Sequence, residues 1–307
     1  MKATREAYGE ELAKLVAENP KIVVLDADLA GSTKSAMAGK VAPERFFDMG
    51  IAEQDMIGTA AGLAASGYIP FASTFAMFAT GRCWEQIRNS VAYPHLNVKI
   101  AGSHAGITVG EDGCTHQAIE DIAIMRAITG LAVFCPCDQY ETKAVVDYAA
   151  AYDGPCYIRL GRSKVEDSYT PDTKFDITKV NVLRHGHQKI SVFATGLMVQ
   201  SSMKAADVLA KKGIDLTVVD VCSLKPADEE GIVKVLEESE KVFTVEEHSV
   251  IGGLGSLVSD IASESCPRFI HHIGMYGFAE SAAADVLLHE YQLDGEGIAS
   301  QIEQFLL

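Results

Sequence analysis

Short, continuous apolar runs alternate along this chain with longer stretches of helical periodicity, and that alternation restricts its fold more than any other feature. The clearest run is Ile22-Val23-Val24-Leu25. Four apolar residues in a row, rather than every second one, suit a parallel strand covered by helices on both faces. Further strands are expected over 69–73, 98–101, 131–135 and 156–160, separated by helices over 3–17, 52–65, 76–92, 117–128 and 140–151. Elements in this order predict an α/β fold with a doubly wound sheet, whose ligands gather at the carboxyl ends of the strands.

The chain has 307 residues, room for two domains of the usual size. A polar, charged stretch after Ser163 divides a first domain, 1–165, from a second, 189–307, with 166–188 as linker. The second half repeats the pattern with strands at 190–194, 216–219 and 242–245, a helix through Ala206 and Leu209, and a helical face of Leu254, Leu257, Val258 and Ile261. Two doubly wound, mostly parallel open sheets are expected.

Acidic residues outnumber basic ones by 42 to 26, for a formal charge of −16, which argues against a nucleic-acid partner. The charge-free stretch from Met56 to Gly81 is broken by Gly58, Gly62, Gly67 and Pro70, so no membrane span is expected. Seven Cys, an odd number without repeated spacing, and no basic-then-apolar opening make the cytoplasm the expected compartment. Cys135-Pro136-Cys137 reads as ordinary packing. Gly252-Gly253-Leu254-Gly255 lacks the full dinucleotide-loop spacing and reads as a strand-to-helix turn.

Three segments carry polar or aromatic groups at predicted strand ends. In Gly50-Ile51-Ala52-Glu53-Gln54, Glu53 opens a small-residue helix. It is either a first-turn carboxylate facing water or a carboxyl group in a cleft, able to share a proton with a heterocyclic nitrogen. In Ser73-Thr74-Phe75-Ala76-Met77-Phe78, the two rings are core aromatics or a platform for a flat ligand. Gly102-Ser103-His104-Ala105-Gly106 and Gly110-Glu111-Asp112-Gly113-Cys114-Thr115-His116-Gln117 form a Gly-rich polar rim, a solvated loop, or a metal set of His104, Asp112 and His116, whose spacing is unlike a dedicated zinc site.

These segments, in this order, resemble the pyrimidine-binding domain of transketolase, and the second half is similar to the transketolase C-terminal domain. The resemblance implies a thiamine-diphosphate-binding fold type and a two-carbon ketol transfer between sugar phosphates. It implies that Glu53 hydrogen-bonds the cofactor's pyrimidine, with Phe75 stacking on that ring and Phe78 at its edge. His104 and His116 would act at the reacting carbons, Asp112 at a substrate hydroxyl, and Arg162 on the phosphate. Gly81 stands where related enzymes place a Tyr. A second phosphate-binding Arg expected near the N-terminus has no counterpart unless Arg5 reaches across, and Ser32 and Ser35 are open alternatives for a further phosphate contact.

No Gly-Asp-Gly metal motif occurs in the sequence, so thiamine diphosphate and Mg²⁺ would be held mainly by another polypeptide. The resemblance therefore implies the C-terminal half of a split transketolase, paired with an N-terminal subunit in an α2β2 assembly. This chain would form a homodimer within it, with an interface that can use the charge-free segment containing Met56, Ile57 and Leu63. The alternatives are the β subunit of a 2-oxo-acid decarboxylase complex and a noncatalytic assembly subunit.

Overall fold

A computed structural model describes residues 1–306. The first half folds around β1 (Ile22–Asp26), β2 (Phe46–Asp48), β3 (Ile69–Phe75), β4 (Lys99–Ser103), β5 (Ala132–Phe134) and β6 (Cys156–Arg159), the five expected strands with β2 as an addition at the edge. These six are parallel, in spatial order β5-β6-β4-β3-β1-β2. Alternate residues of β1 point to opposite faces, which explains its unbroken apolar run. Val23 and Leu25 pack in one cluster with Met56, Ile57 and Ala60 of helix α2 (Glu53–Ala65), while Ile22 and Val24 pack in another with Tyr8, Leu12 and Val16 of α1 (Thr4–Glu18). Each of the Val, Leu, Ile and Met side chains among them, fully buried, contributes roughly 1.5–3 kcal/mol.

The second sheet runs β12-β11-β8-β9-β7, from β7 (Asn181–Arg184), β8 (Ile190–Ala194), β9 (Thr217–Asp220), β11 (Lys241–Ser249) and β12 (Ile270–Met275). Its first strand lies inside the stretch read as linker and pairs antiparallel with β9. The halves also interlock, because β10 (Ser223–Lys225) leaves the second half to add an antiparallel edge beside β5.

Further expectations are revised. The helix read over 76–92 forms, but it is wound more widely, as π turns over Phe78–Arg82 and Ile87–Ala92 with Trp84–Gln86 α-helical between them. The Thr80 hydroxyl donates to the Ala76 carbonyl four residues back at 2.8 Å, a back-bond that accompanies the looser winding. The helix read over 117–128 is confined to Asp121–Arg126. Its first residues are drawn away by the Ala105–Ala118 bridge and by Gln117, which donates to the Glu280 carbonyl. Finally, Met56 and Ile57 are wholly buried within the chain's own core and present no surface to a second copy; Leu63 is half-buried. No helix among the described residues is long and apolar enough to cross a membrane.

Candidate active site

The carboxyl ends of the central strands carry the groups the sequence singled out. Phe75 closes β3, His104 follows β4, and Arg162 follows β6. A cleft of about 550 Å³ between them is lined by Arg5, Ser32, Lys34, Phe75, His104, Asp112, His116 and Arg162. The aromatic groups form one continuous wall. His104 stacks on Phe75 with centroids 3.9 Å apart, Phe75 lies parallel to Phe78 at 5.9 Å, and His116 stands edge-on to Phe78 at 5.2 Å. One face of Phe75 is thus covered by His104, an arrangement the sequence did not suggest.

Glu53 is the first residue of α2 and is 2% exposed, so it is not the water-facing carboxylate its position allowed. Its Oε2 accepts a hydrogen bond from Arg82 Nη1 at 2.6 Å, and that guanidinium lies 4.8 Å over the Phe78 ring. Arg82 therefore joins Glu53 to the aromatic wall. No other hydrogen-bond partner reaches the Glu53 carboxylate among the described residues.

Arg5 does reach across. Its Nη1 donates to the Ser32 carbonyl at 2.8 Å and meets His104 Nε2 at 3.1 Å. A guanidinium only donates, so Nε2 is the acceptor and the imidazole proton sits on Nδ1, facing the Ser103 hydroxyl at 2.9 Å. Burial first, and then the positive charges of Arg5, Arg162, Lys34 and His116, push the His104 pKa down to about 3. His104 is a neutral group held in one tautomer.

Ser32 and Ser35 are now distinguished. Asp26, at the end of β1, accepts from Leu29 N and from the Thr33 and Ser35 hydroxyls at 2.7–2.8 Å, which folds the 28–35 loop back on the strand and buries Ser35. Ser32 is left on the cleft. On the far wall, Arg162 donates to the Val109 carbonyl and lies 3.7 Å from Asp112 and 3.6 Å from Glu111. His116 is half-buried, with Nδ1 2.9 Å from the Thr115 hydroxyl.

The remaining motifs fall elsewhere. Gly253 precedes helix α3 (Leu254–Ser265), whose first amides at Leu254 and Gly255 donate to the Glu246 carboxylate at 2.7 and 2.8 Å. An internal acid thus fills the place a dinucleotide phosphate would take. Cys135 and Cys137 are buried, and Cys114 is the exposed thiol among the described residues. His104, Asp112 and His116 do not converge as a metal set. The one cluster with that spacing among the described residues, Cys137, Glu141 and Asp220, is fully buried. Sequence reasoning missed Arg82 and Lys34, since neither belongs to a recognisable spacing and both reach the site through three-dimensional proximity.

An interlocked α/β pair carries a buried carboxylate, an aromatic wall and a cationic cleft at its strand ends, a concave arrangement of the kind that receives small molecules. Residues 1–167 match the family described as "Transketolase, pyrimidine binding domain" and residues 178–298 "Transketolase, C-terminal domain". The chain belongs to the transketolase family. It is 50% identical over 305 residues to a Methanocaldococcus jannaschii protein named for a transketolase C-terminal section, covering 98% of this chain and 95% of that one. It is 39% identical to a 6-deoxy-6-sulfo-D-fructose transketolase subunit of a Clostridium species, covering 96% and 91%. A solved structure titled "Split gene transketolase, inactive beta4 tetramer" superposes with a TM-score of 0.91 at 48% identity, over 99% of this chain and 98% of that one. Against Bos taurus transketolase-like protein 1 the match is 37% identical and spans 99% of this chain but 51% of that protein.

Proposed function

We propose that this chain is the C-terminal half of a split, thiamine-diphosphate-dependent transketolase, moving a two-carbon ketol unit from a ketose phosphate to an aldose phosphate. The observation that carries the reading is Glu53, a buried carboxylate at a helix start, joined through Arg82 and Phe78 to a cleft lined by His104, His116, Asp112 and Arg162. That donor set fits the aminopyrimidine half of the cofactor: a carboxylate for its ring edge and aromatic faces for its plane. Mg²⁺ and the diphosphate fall to an N-terminal subunit, in an α2β2 assembly.

When bound, thiamine diphosphate supplies a nucleophilic carbon and an electron sink for carbon–carbon cleavage. Glu53 holds the proton-sharing contact to the pyrimidine edge. Neutral His104 offers an acceptor nitrogen once a sugar hydroxyl displaces Arg5, and His116 faces the same oxygens from the same aromatic wall. Asp112 accepts from a substrate hydroxyl, a contact that discriminates stereoisomers because a missing partner leaves a polar group unpaired. Arg162 and Arg5 receive the phosphate, with Ser32 beside them.

Mixing the chain with its N-terminal partner, thiamine diphosphate and Mg²⁺ tests the reading. Pentose phosphate turnover that neither polypeptide shows alone supports it. Full activity from this chain by itself rejects the split arrangement, and pyruvate decarboxylation in place of ketol transfer rejects the reaction.

A further inference from the structure

Lys34 is a cation that nothing in the fold uses. It makes no hydrogen bond from its ammonium and no ion pair among the described residues, yet it is half-buried and lines the cleft with Arg5 and Arg162. Its backbone is left-handed, at φ 73°, a conformation uncommon outside Gly and Asn. A Cβ on Gly9, in the middle of α1, would come within 2.6 Å of the Lys34 Cβ and carbonyl oxygen. A helical Gly and a left-handed Lys are two local costs, and together they seat one side chain at the cleft.

Three cations, Arg5, Lys34 and Arg162, therefore face one cavity. Arg162 is shared with Glu111 and Asp112, and Arg5 with a carbonyl and an imidazole, whereas Lys34 keeps its whole charge and all three donors free. The charge of the two arginines is offset by Glu111 and Asp112, so Lys34 supplies the uncompensated positive charge of the cleft. We propose that Lys34 is a specificity-determining residue, selecting substrates that end in a doubly charged phosphate monoester over those ending in a singly charged sulfonate or an uncharged hydroxyl. This rests on the ketol-transfer reading for its substrates, but not for the charge preference of the cleft.

The test uses Lys34→Asn, which removes the charge and tolerates the left-handed backbone, and Lys34→Arg, which restores the charge. In the reconstituted pair, Lys34→Asn lowers the ratio of kcat/KM for ribose 5-phosphate to that for its 5-sulfonate analogue by about tenfold, the scale of one hydrogen bond to a charged group. The loss lies in KM, and Lys34→Arg recovers most of it. Below the second phosphate pKa of about 6 the difference between the two acceptors shrinks. Separately, calorimetric titration of the chain alone with inorganic phosphate shows about tenfold weaker binding in Lys34→Asn. An unchanged phosphate-to-sulfonate ratio, or a fall in kcat shared by both acceptors, overturns the proposal. If no sugar is turned over by the wild-type pair, the ketol-transfer reading fails by itself; the phosphate titration still decides the role of Lys34, and equal affinities there overturn it.

Discussion

Glu53→Gln separates folding from chemistry at one position. The Glu53 carboxylate is 2% exposed, but Arg82, its partner at 2.6 Å, has 47% of its side chain open to solvent. Water screens the pair, which brings its contribution toward the 0–1 kcal/mol of surface ion pairs, about 1 kcal/mol at most. The Gln carbonyl oxygen still accepts from Arg82 Nη1, and the helix keeps its shape because the two side chains are isosteric. The midpoint of thermal unfolding is therefore expected to move by only about 2–4 °C. Catalysis answers differently, because a carboxamide cannot exchange a proton with a pyrimidine nitrogen, and losing such a group costs about 10²–10⁴-fold in rate. The assay pairs a circular-dichroism melt of the variant with ketol-transfer rates in the reconstituted enzyme. Activity within tenfold of wild type, or a loss of stability large enough to unfold the chain, would show that Glu53 serves the core rather than the reaction.

Arg159→Met strands Asp121, which is 0% exposed and receives Arg159 Nε at 2.8 Å, and it also cuts the Arg159 bond to the Glu247 carbonyl across the two halves. The expected cost is about 3–5 kcal/mol by denaturant titration, and a loss under about 1 kcal/mol would contradict the role of the pair. His104, with its pKa pushed down to about 3 from 6.5, refuses a proton that the unfolded chain takes up below pH 6.5. Stability is thus expected to fall as pH drops through that window. His104→Asn, suited to the same left-handed backbone, should flatten that slope, and an identical slope in the variant would refute the assignment. Gly106 sits at φ 79° with the Glu247 carboxyl in the path of any Cβ, so Gly106→Ala should cost about 1–3 kcal/mol. A wild-type melting curve for that variant would mean the junction is looser than drawn.

The parallel sheet was legible because its evidence is local: the run from Ile22 to Leu25 has to be covered on two sides wherever the chain goes. Glu53 was legible as an unusual acid at the start of a small-residue helix, though its burial depends on β3 and the 78–92 segment folding over it. Arg82 was not, because its meaning lies in a contact with a residue 29 positions earlier. The crossing of β10 into the first sheet escaped for a related reason, since three residues carry too little periodicity to announce which sheet they join. The 76–92 segment is helical as its apolar spacing implies, but the π winding over Phe78–Arg82 and Ile87–Ala92 was not legible, because apolar spacing does not report which carbonyl each amide reaches.

The most direct test is an isothermal titration of thiamine diphosphate and Mg²⁺ into three samples: this chain, its N-terminal partner, and an equimolar mixture. Stoichiometric binding in the mixture, weakened by removing the aromatic face with Phe75→Ala, is the expected outcome. Tight binding to this chain alone, or a mixture that takes up no cofactor, would contradict a site divided between two polypeptides.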